Sequence, residues 1–317
     1  MVVAAPAQAG ILHRYAPRLV AFEHRPSSIP ASAHTGNVLI FIGGLSDGLL
    51  TVSYPSFIAA RAPPGWSIVE ALISAAYSGW GTSTLQRDVA EIAKCVAYLR
   101  ALPSNSTTPR RIVLMGHSTG AQDAIEYVVG AGAAERPPVD GVILQAGISD
   151  REAMHAKSGP SKSDEAMTNA ARGLEEQGRA EEFLPRAVSG STFTRTAVTA
   201  YRWLSLTQKG GDDDYFSSDI ADEELWKTFG KFGKTQLMVL LSGIDEHMPK
   251  WVDKEALAAR WARICKEGGA IVDEEFGGVV PGAHHNLEQD GTEVVDDLCR
   301  RVTGFLGKVG GDSEPHL

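Results

Sequence analysis

A serine between two glycines stands where an apolar run meets a helical segment. Residues 111–115 are mostly apolar, Gly116-His-Ser118-Thr-Gly120 follows, and residues 121–129 then have helical period. Strand, sharp turn and helix are the setting of a nucleophile elbow, in which the serine projects from a strained backbone and the glycines remove Cβ atoms that would collide. The pattern predicts Ser118 as the nucleophile of an acyl transfer.

A serine hydroxyl needs a base within hydrogen-bond reach, because the neutral hydroxyl is a weak nucleophile. His284 and His285 are adjacent in a loop between the last predicted strand and the last predicted helix. We favour His285, since the step from it through Asn286 leads directly into the helix. His284 is the alternative base. If neither histidine is catalytic, both are solvated side chains of the loop.

The base in turn needs an acid that orients the imidazole and stabilises its cationic form. Residues 240–249 are an apolar run that ends in glycine and continues into a loop with two carboxylates, Asp245 and Glu246. Asp245 is the predicted acid and Glu246 the alternative. We assign no catalytic role to His247 in the same loop.

Acyl transfer also requires N–H donors for the oxyanion, one after the nucleophile and one from the loop of an earlier strand. Thr119 supplies the first. The glycine-rich residues 43–48 follow an apolar run, and Leu45 is the predicted second donor, with Ser46 as the alternative. This loop lacks the Lys and Ser/Thr of a P-loop, so we do not interpret it as a nucleotide site.

The elements that position these residues follow from the periodicity. Residues 85–102 show a helical stripe that includes Val89, Ile92, Val96 and Leu99. The predicted strands are residues 37–42, 66–73, 111–115, 139–145, 236–241 and 270–276. Short apolar strands that alternate with helical segments predict an α/β fold with a mostly parallel central sheet and helices on both faces.

An inserted helical block divides the sheet-forming residues. Residues 1–149 and 235–317 form the predicted core, and residues 150–234 form a predicted lid or cap of charged, Ala-rich helices. The lid contains aromatic residues that are candidates for lining a substrate cleft, because such clefts are mostly apolar; they are Tyr201, Trp203, Tyr215 and Phe216. The carboxylate run at residues 212–214 reads as a solvated loop, and we predict no metal site and no cofactor.

Composition narrows the possible functions. Hydrophobic residues make up 43% and charged residues 22% of the 317 residues, as in globular proteins with a substantial core. The formal net charge of -9 argues against nucleic acid and anionic membranes as partners. Scattered cysteines, a first segment without a basic region and no apolar run of about 18–20 residues predict a cytoplasmic protein outside the membrane.

Longer motifs resemble one family. Residues 43–49, 77–91 and 116–120, together with 213–219, 245–249 and 285–287, are similar to the fungal fusarinine C (SidJ-like) siderophore esterases of the α/β-hydrolase fold. The resemblance covers most of residues 43–287 and is weakest in the predicted lid. It places nucleophile, acid and base on Ser118, Asp245 and His285, in the order along the chain that this fold uses.

The resemblance implies an intracellular serine esterase, which cleaves a hydroxamate siderophore so that iron is released. The expected partner is a small ester, including the ferric siderophore, whose iron would arrive with the substrate. A carboxylesterase or thioesterase for another acyl substrate is the first alternative. A non-catalytic α/β-hydrolase-fold protein that binds a ligand is the second.

Overall fold

The computed structural model describes residues 7–26, 36–103, 108–155, 162–185 and 196–311. The strands are β1 (Gly10–Ala16), β2 (Leu19–His24), β3 (Asn37–Ile42), β4 (Trp66–Leu72), β5 (Ile112–His117), β6 (Gly141–Gln145), β7 (Gln236–Ser242), β8 (Ile271–Val272) and β9 (Gly278–Val280). The helices are α1 (Tyr54–Arg61), α2 (Leu85–Ala101), α3 (Thr119–Val129), α4 (Asp150–His155), α5 (Lys162–Glu176), α6 (Ala200–Thr207), α7 (Asp222–Trp226), α8 (Lys254–Glu267) and α9 (Thr292–Gly310).

One sheet contains all the strands of the described residues, in the order β1-β2-β4-β3-β5-β6-β7-β8, with β9 also paired to β7. The strands from β3 onward pair in parallel, whereas β1 and β2 form an antiparallel edge next to β4. The predicted mostly parallel sheet is confirmed. The edge pair was not predicted, because the outer strand β1 is largely exposed and lacks a continuous apolar run.

Apolar side chains of the central strands alternate between two cores. In β3, Val38, Ile40 and Ile42 pack into the cluster that contains α2, α3 and α8. Leu39 and Phe41 point to the opposite cluster, with α1 and α9. Since successive strand residues face opposite sides, a continuous apolar strand requires helices on both faces, as the sequence predicted.

The predicted strand at residues 270–276 is interrupted. The chain pairs Val272 with Leu237, leaves the sheet, and returns to pair Gly278 with Leu240. A turn causes the break, since Asp273 accepts a hydrogen bond from the backbone N–H of Phe276 at 2.9 Å. The last helix follows this region and extends from Thr292 to Gly310.

Residues 150–234, named the cap segment here, are not uniform. Its first part forms a separate apolar cluster around Trp203 and Met167, from α6 and α5. Its second part belongs to the main core instead, where Phe216 and Phe229 pack against Trp261 of α8. In the part of the chain that is described, no helix is long and apolar enough to cross a membrane.

A buried arginine connects the cap segment to the rest of the protein. Arg202 of α6 donates to Asp213 at 2.5 Å and to the backbone oxygen of Trp80 at 3.1 Å. Asp88 of α2 and Asp123 of α3 lie within its electrostatic reach. Burial raises the pKa of Asp88 to about 7 and raises the pKa of Asp123 as well, so this cluster does not carry a full set of carboxylate charges at neutral pH.

Candidate active site

Ser118 lies in a sharp turn between β5 and α3. Its backbone has φ 54° and ψ -123°, a conformation that non-glycine residues rarely adopt. A Cβ on Gly116 would lie 2.0 Å from the backbone oxygen of Gly120, and a Cβ on Gly120 would lie 2.4 Å from the backbone oxygen of Ile42. Only glycine therefore allows the strand and the helix to approach this closely around the serine.

The loops after β7 and β9 bring two predicted partners to this serine. His285 Nε2 lies 2.8 Å from Ser118 Oγ, and its Nδ1 lies 2.8 Å from Asp245 Oδ2. Asp245 can only accept at this contact when ionised, so the ring carries its proton on Nδ1 and its free Nε2 faces the serine hydroxyl. The arrangement can remove the serine proton while the carboxylate stabilises the resulting imidazolium.

The environment favours the ionised acid. Burial alone would raise the pKa of Asp245, but the hydrogen bond and positive charge of His285 and the backbone N–H of His247 lower it below the usual range. Asp245 is 6% exposed and His285 is 8% exposed, so solvent screens their contact weakly.

The two alternatives have other contacts. His284 lies 2.5 Å from Asp290 through Nδ1, and this hydrogen bond raises its pKa. Glu246 accepts the backbone N–H of His285 at 3.0 Å rather than binding the ring. The two neighbouring carboxylates thus bind the same histidine, Asp245 at the ring and Glu246 at the backbone. The sequence analysis treated them as alternatives and did not predict that both would bind it.

The glycine-rich loop after β3 forms a tight turn beside the serine. The N–H of Asp47 donates to Gly44 O at 3.0 Å, and Ser46 has φ 71° at the third position, as in a type II turn. A Cβ on Gly44 would lie 2.6 Å from Ser118 Cβ. The turn leaves the N–H of Leu45 outside its own hydrogen bond, and Thr119, the first residue of α3, has no intrahelical acceptor. Neither N–H is used by the turn or by the helix, and the assignment of Leu45 and Thr119 as oxyanion donors stays a prediction.

Asp47 holds this turn in place, a role that the sequence did not reveal. One oxygen of its carboxylate accepts the N–H of Gly44 at 2.9 Å, and the other accepts the hydroxyl of Thr51 at 2.9 Å. The signal was present as the Gly-Leu-Ser-Asp-Gly sequence, because Asp commonly bonds backbone N–H groups in turns.

His117 also lies in the site, although the sequence analysis assigned a role only to its neighbour Ser118. Its ring lies 4.9 Å from the ring of His285, and Gln145 accepts a hydrogen bond from its Nδ1 at 2.6 Å. Burial and the positive charge of His285 lower the pKa of His117 to about 4. His117 is therefore neutral at physiological pH and does not compete for the triad proton.

A cavity of about 500 Å³ opens beside Ser118 and His285. Ala153 and Met154 of α4 and Leu206 and Thr207 of the α6 end line one side, so the cap segment forms one of its walls. Asp150, also of α4, lines the cavity as well. On the side of the core, the described lining includes Leu45, Ser46, Asp47, His117, Ile148, His247 and Asn286.

The four aromatic residues predicted to line a cleft are not among the described residues of this cavity wall. Trp203 is buried in the cap cluster, and Phe216 packs into the main core. Tyr215 donates to Glu126 at 2.6 Å, and Tyr201 donates to Asp212. These side chains pack inside the protein or bind other residues. Their positions therefore give no support to the predicted contact with substrate.

The doubly covered parallel sheet, the serine turn and the order Ser, Asp, His along the chain define an α/β-hydrolase. The sequence profile of a family described as protein of unknown function (DUF1749) matches residues 1–307. The chain belongs to this family.

Relatives and a solved structure support the assignment. An esterase from Emericella nidulans is 38% identical, over 96% of this chain and 93% of that protein. The fusarinine C esterase sidJ from Aspergillus fumigatus is 35% identical, over 94% of this chain and 95% of its own length. The structure of the siderophore hydrolase EstB from Aspergillus fumigatus has 36% identity and a TM-score of 0.81, and the match covers 96% of this chain and 98% of that one.

Proposed function

We propose that this protein is a serine esterase that hydrolyses ester bonds of a hydroxamate siderophore of the fusarinine C type. The observation that carries the proposal is His285, whose two ring nitrogens lie 2.8 Å from Ser118 and 2.8 Å from Asp245 at the base of a cavity. The similarity to a fusarinine C esterase and to a siderophore hydrolase supports the substrate class.

In the first half of the reaction, Ser118 Oγ attacks the ester carbonyl while His285 Nε2 accepts its proton. The N–H groups of Leu45 and Thr119 stabilise the oxyanion. His285 then returns the proton to the leaving alkoxide, and the acyl group remains on Ser118.

In the second half, His285 removes a proton from water, which attacks the acyl carbonyl. His285 then returns that proton to Ser118 Oγ as the bond to the acyl group breaks and the carboxylic acid leaves. The carboxylate of Asp245 stabilises the imidazolium in both halves, and Glu246 keeps the histidine backbone in position through its 3.0 Å contact. Ferric iron, when present, is bound by the hydroxamates of the substrate and enters with it.

The cap segment acts as a lid over the ester, since α4 and the end of α6 line the cavity. The protein works inside the cell, after siderophore uptake, and requires neither nucleic acid nor a membrane. The formal net charge of -9 supports the expected absence of nucleic acid and anionic membranes as partners, because both carry negative charge.

Mass-spectrometric product analysis with ferric and iron-free fusarinine C tests the proposal. We expect stepwise addition of water with the wild-type protein and none with Ser118→Ala. Ser53→Ala is the matched control, because Ser53 is exposed ahead of α1 and its side chain makes no capping hydrogen bond.

The outcomes separate the alternatives. Intact fusarinine C together with Ser118-dependent cleavage of p-nitrophenyl esters would keep the esterase and remove the siderophore. A Ser118 that does not react with a fluorophosphonate probe would instead favour the non-catalytic alternative.

A further inference from the structure

The cavity beside Ser118 combines an apolar wall with negative charge. Asp47 and Asp150 contribute carboxylates, and no Lys or Arg occurs among the lining residues that the structure describes. His117 is neutral at physiological pH, because burial and the charge of His285 lower its pKa to about 4. The lining carboxylates are therefore not balanced by a lysine or arginine of this described wall.

The two carboxylates differ in what they already bind. Asp47 uses one oxygen for the N–H of Gly44 and the other for the hydroxyl of Thr51. Its hydrogen bonds are needed for the turn that positions Leu45, so Asp47 is a structural part of the catalytic loop.

Asp150 has an oxygen left for a ligand. It is the first residue of α4, just beyond the carboxyl end of β6, where ligands of parallel sheets commonly bind. Its Oδ2 accepts the side-chain N–H of Gln122 at 2.8 Å. Within the described ranges, Oδ1 has no hydrogen-bond donor, and the residue is partly exposed to the cavity.

The surroundings make the ionised form of this carboxylate costly in the empty site. Burial and the negative charge of Asp213 raise the pKa of Asp150 to about 7, against the opposing effects of Arg202 and Gln122. A positive charge beside the free oxygen would stabilise the ionised form, since an opposite charge within about 4–6 Å favours ionisation.

We propose that Asp150 is a specificity-determining residue that binds a positively charged nitrogen of the ester substrate through Oδ1. The assignment rests on the proposed function, because it places this nitrogen in the same cavity as the reacting ester. Gln122 is fully buried and holds the other oxygen, so the carboxylate is oriented before the substrate arrives. The favoured substrates are esters that carry an ammonium group near the scissile bond.

Matched pairs of acetate esters test this inference at pH 8. One ester of each pair ends in a trimethylammonium group and the other in the neutral tert-butyl group of the same shape, over a range of chain lengths. We expect the wild-type kcat/KM to be about tenfold or more higher for the cationic ester at the best chain length, as for other charge-assisted contacts. Asp150→Asn should remove most of this preference by lowering kcat/KM for the cationic ester alone.

Asp212→Asn is the control, because it removes the same charge from an exposed position outside the described cavity wall. It should keep the wild-type preference. A second measurement needs no variant: the wild-type protein should cleave a half-ester with a terminal carboxylate more slowly than the neutral ester.

Equal kcat/KM for the cationic and neutral esters would overturn the inference, as would a preference that persists in Asp150→Asn. Failure to cleave either ester, with Ser118 still labelled by a fluorophosphonate, would also contradict this substrate class. Only the loss of Ser118 labelling would contradict the proposed esterase itself, so the two failures are distinguishable.

Discussion

Two buried contacts, each between a carboxylate and a nitrogen base, serve different purposes in this chain. Asp245 binds His285 at 2.8 Å, and Asp213 binds Arg202 at 2.5 Å. In both pairs the aspartate side chain is 1% exposed. The difference lies in the second partner of the base: His285 faces a serine in an open cavity, whereas Arg202 binds the backbone oxygen of Trp80.

Burial of a charged pair therefore does not by itself identify a catalytic site. A guanidinium is not deprotonated at neutral pH and cannot act as a base, so the Arg202 pair can only hold the cap segment in place. An imidazole can be neutral or charged, so the His285 pair can move a proton. The following variants test this division, from the largest expected effect to the smallest.

His285→Ala should lower kcat by about 10⁵-fold, because removal of the base from a triad disables the nucleophile. Steady-state hydrolysis of a p-nitrophenyl ester measures the effect. His284→Ala is the matched control and should retain activity within about tenfold, since its ring contacts Asp290. If His284→Ala were the more damaging variant, the assignment of the base would be wrong.

Asp245→Asn should lower kcat by about 10⁴-fold, because an amide no longer selects the required tautomer or stabilises the imidazolium. Glu246→Gln keeps an oxygen that can accept the backbone N–H of His285, so its loss of kcat should stay below about tenfold. The pair is compared in one assay with the folded fraction checked by circular dichroism. Similar losses in both variants would contradict the division of roles between them.

Arg202→Met should act on stability rather than on the chemical step. Removal of one partner leaves Asp213 buried without its cation, which costs about 3–5 kcal/mol in comparable pairs. Urea unfolding measures the change. Arg179→Met is the control, because the Arg179–Glu182 pair is half exposed and should contribute little. Equal stability of the two variants would show that Arg202 is not a structural contact.

Asp150 lies within electrostatic reach of both pairs and predicts a dependence on pH. Its pKa is raised to about 7 in the folded protein, so the folded state retains this proton to a higher pH than the unfolded chain. This group therefore lowers stability as the pH rises from about 4 to 7. Relative to the wild-type protein, Asp150→Asn should gain roughly 2 kcal/mol in unfolding free energy between pH 5 and pH 8. A difference that does not change with pH would contradict the shifted pKa.

Much of the fold was predictable because local patterns carried it. The apolar runs of β3, β5, β6 and β7 and the stripe of α2 mark elements whose faces are buried, and their alternation requires a parallel sheet. The short strands β8 and β9 and the exposed edge strand β1 were missed or merged. Their pairing depends on neighbours far along the chain rather than on their own composition.

The cap segment shows the opposite case. Its aromatic residues suggested a substrate surface, but Trp203 and Phe216 pack into two different cores. Composition alone does not distinguish an aromatic residue that lines a cavity from one that fills a core, because both environments are apolar. Five described residues of this segment line the cavity, and they carry no distinctive pattern: Asp150, Ala153, Met154, Leu206 and Thr207.

The sequence by itself determined the serine turn, since only glycines at positions 116 and 120 allow it. It also determined the candidates for acid and base, because they lie in loops that follow predicted strands. Tertiary structure alone decided which of two neighbours binds the ring and that Asp47 holds the glycine-rich turn beside Ser118. It also decided that Gln122 binds Oδ2 of Asp150 while no donor among the described residues binds Oδ1. The reason is physical: a turn is specified by local backbone sterics, whereas a hydrogen bond between residues 40 or 167 positions apart depends on where the whole sheet places their loops.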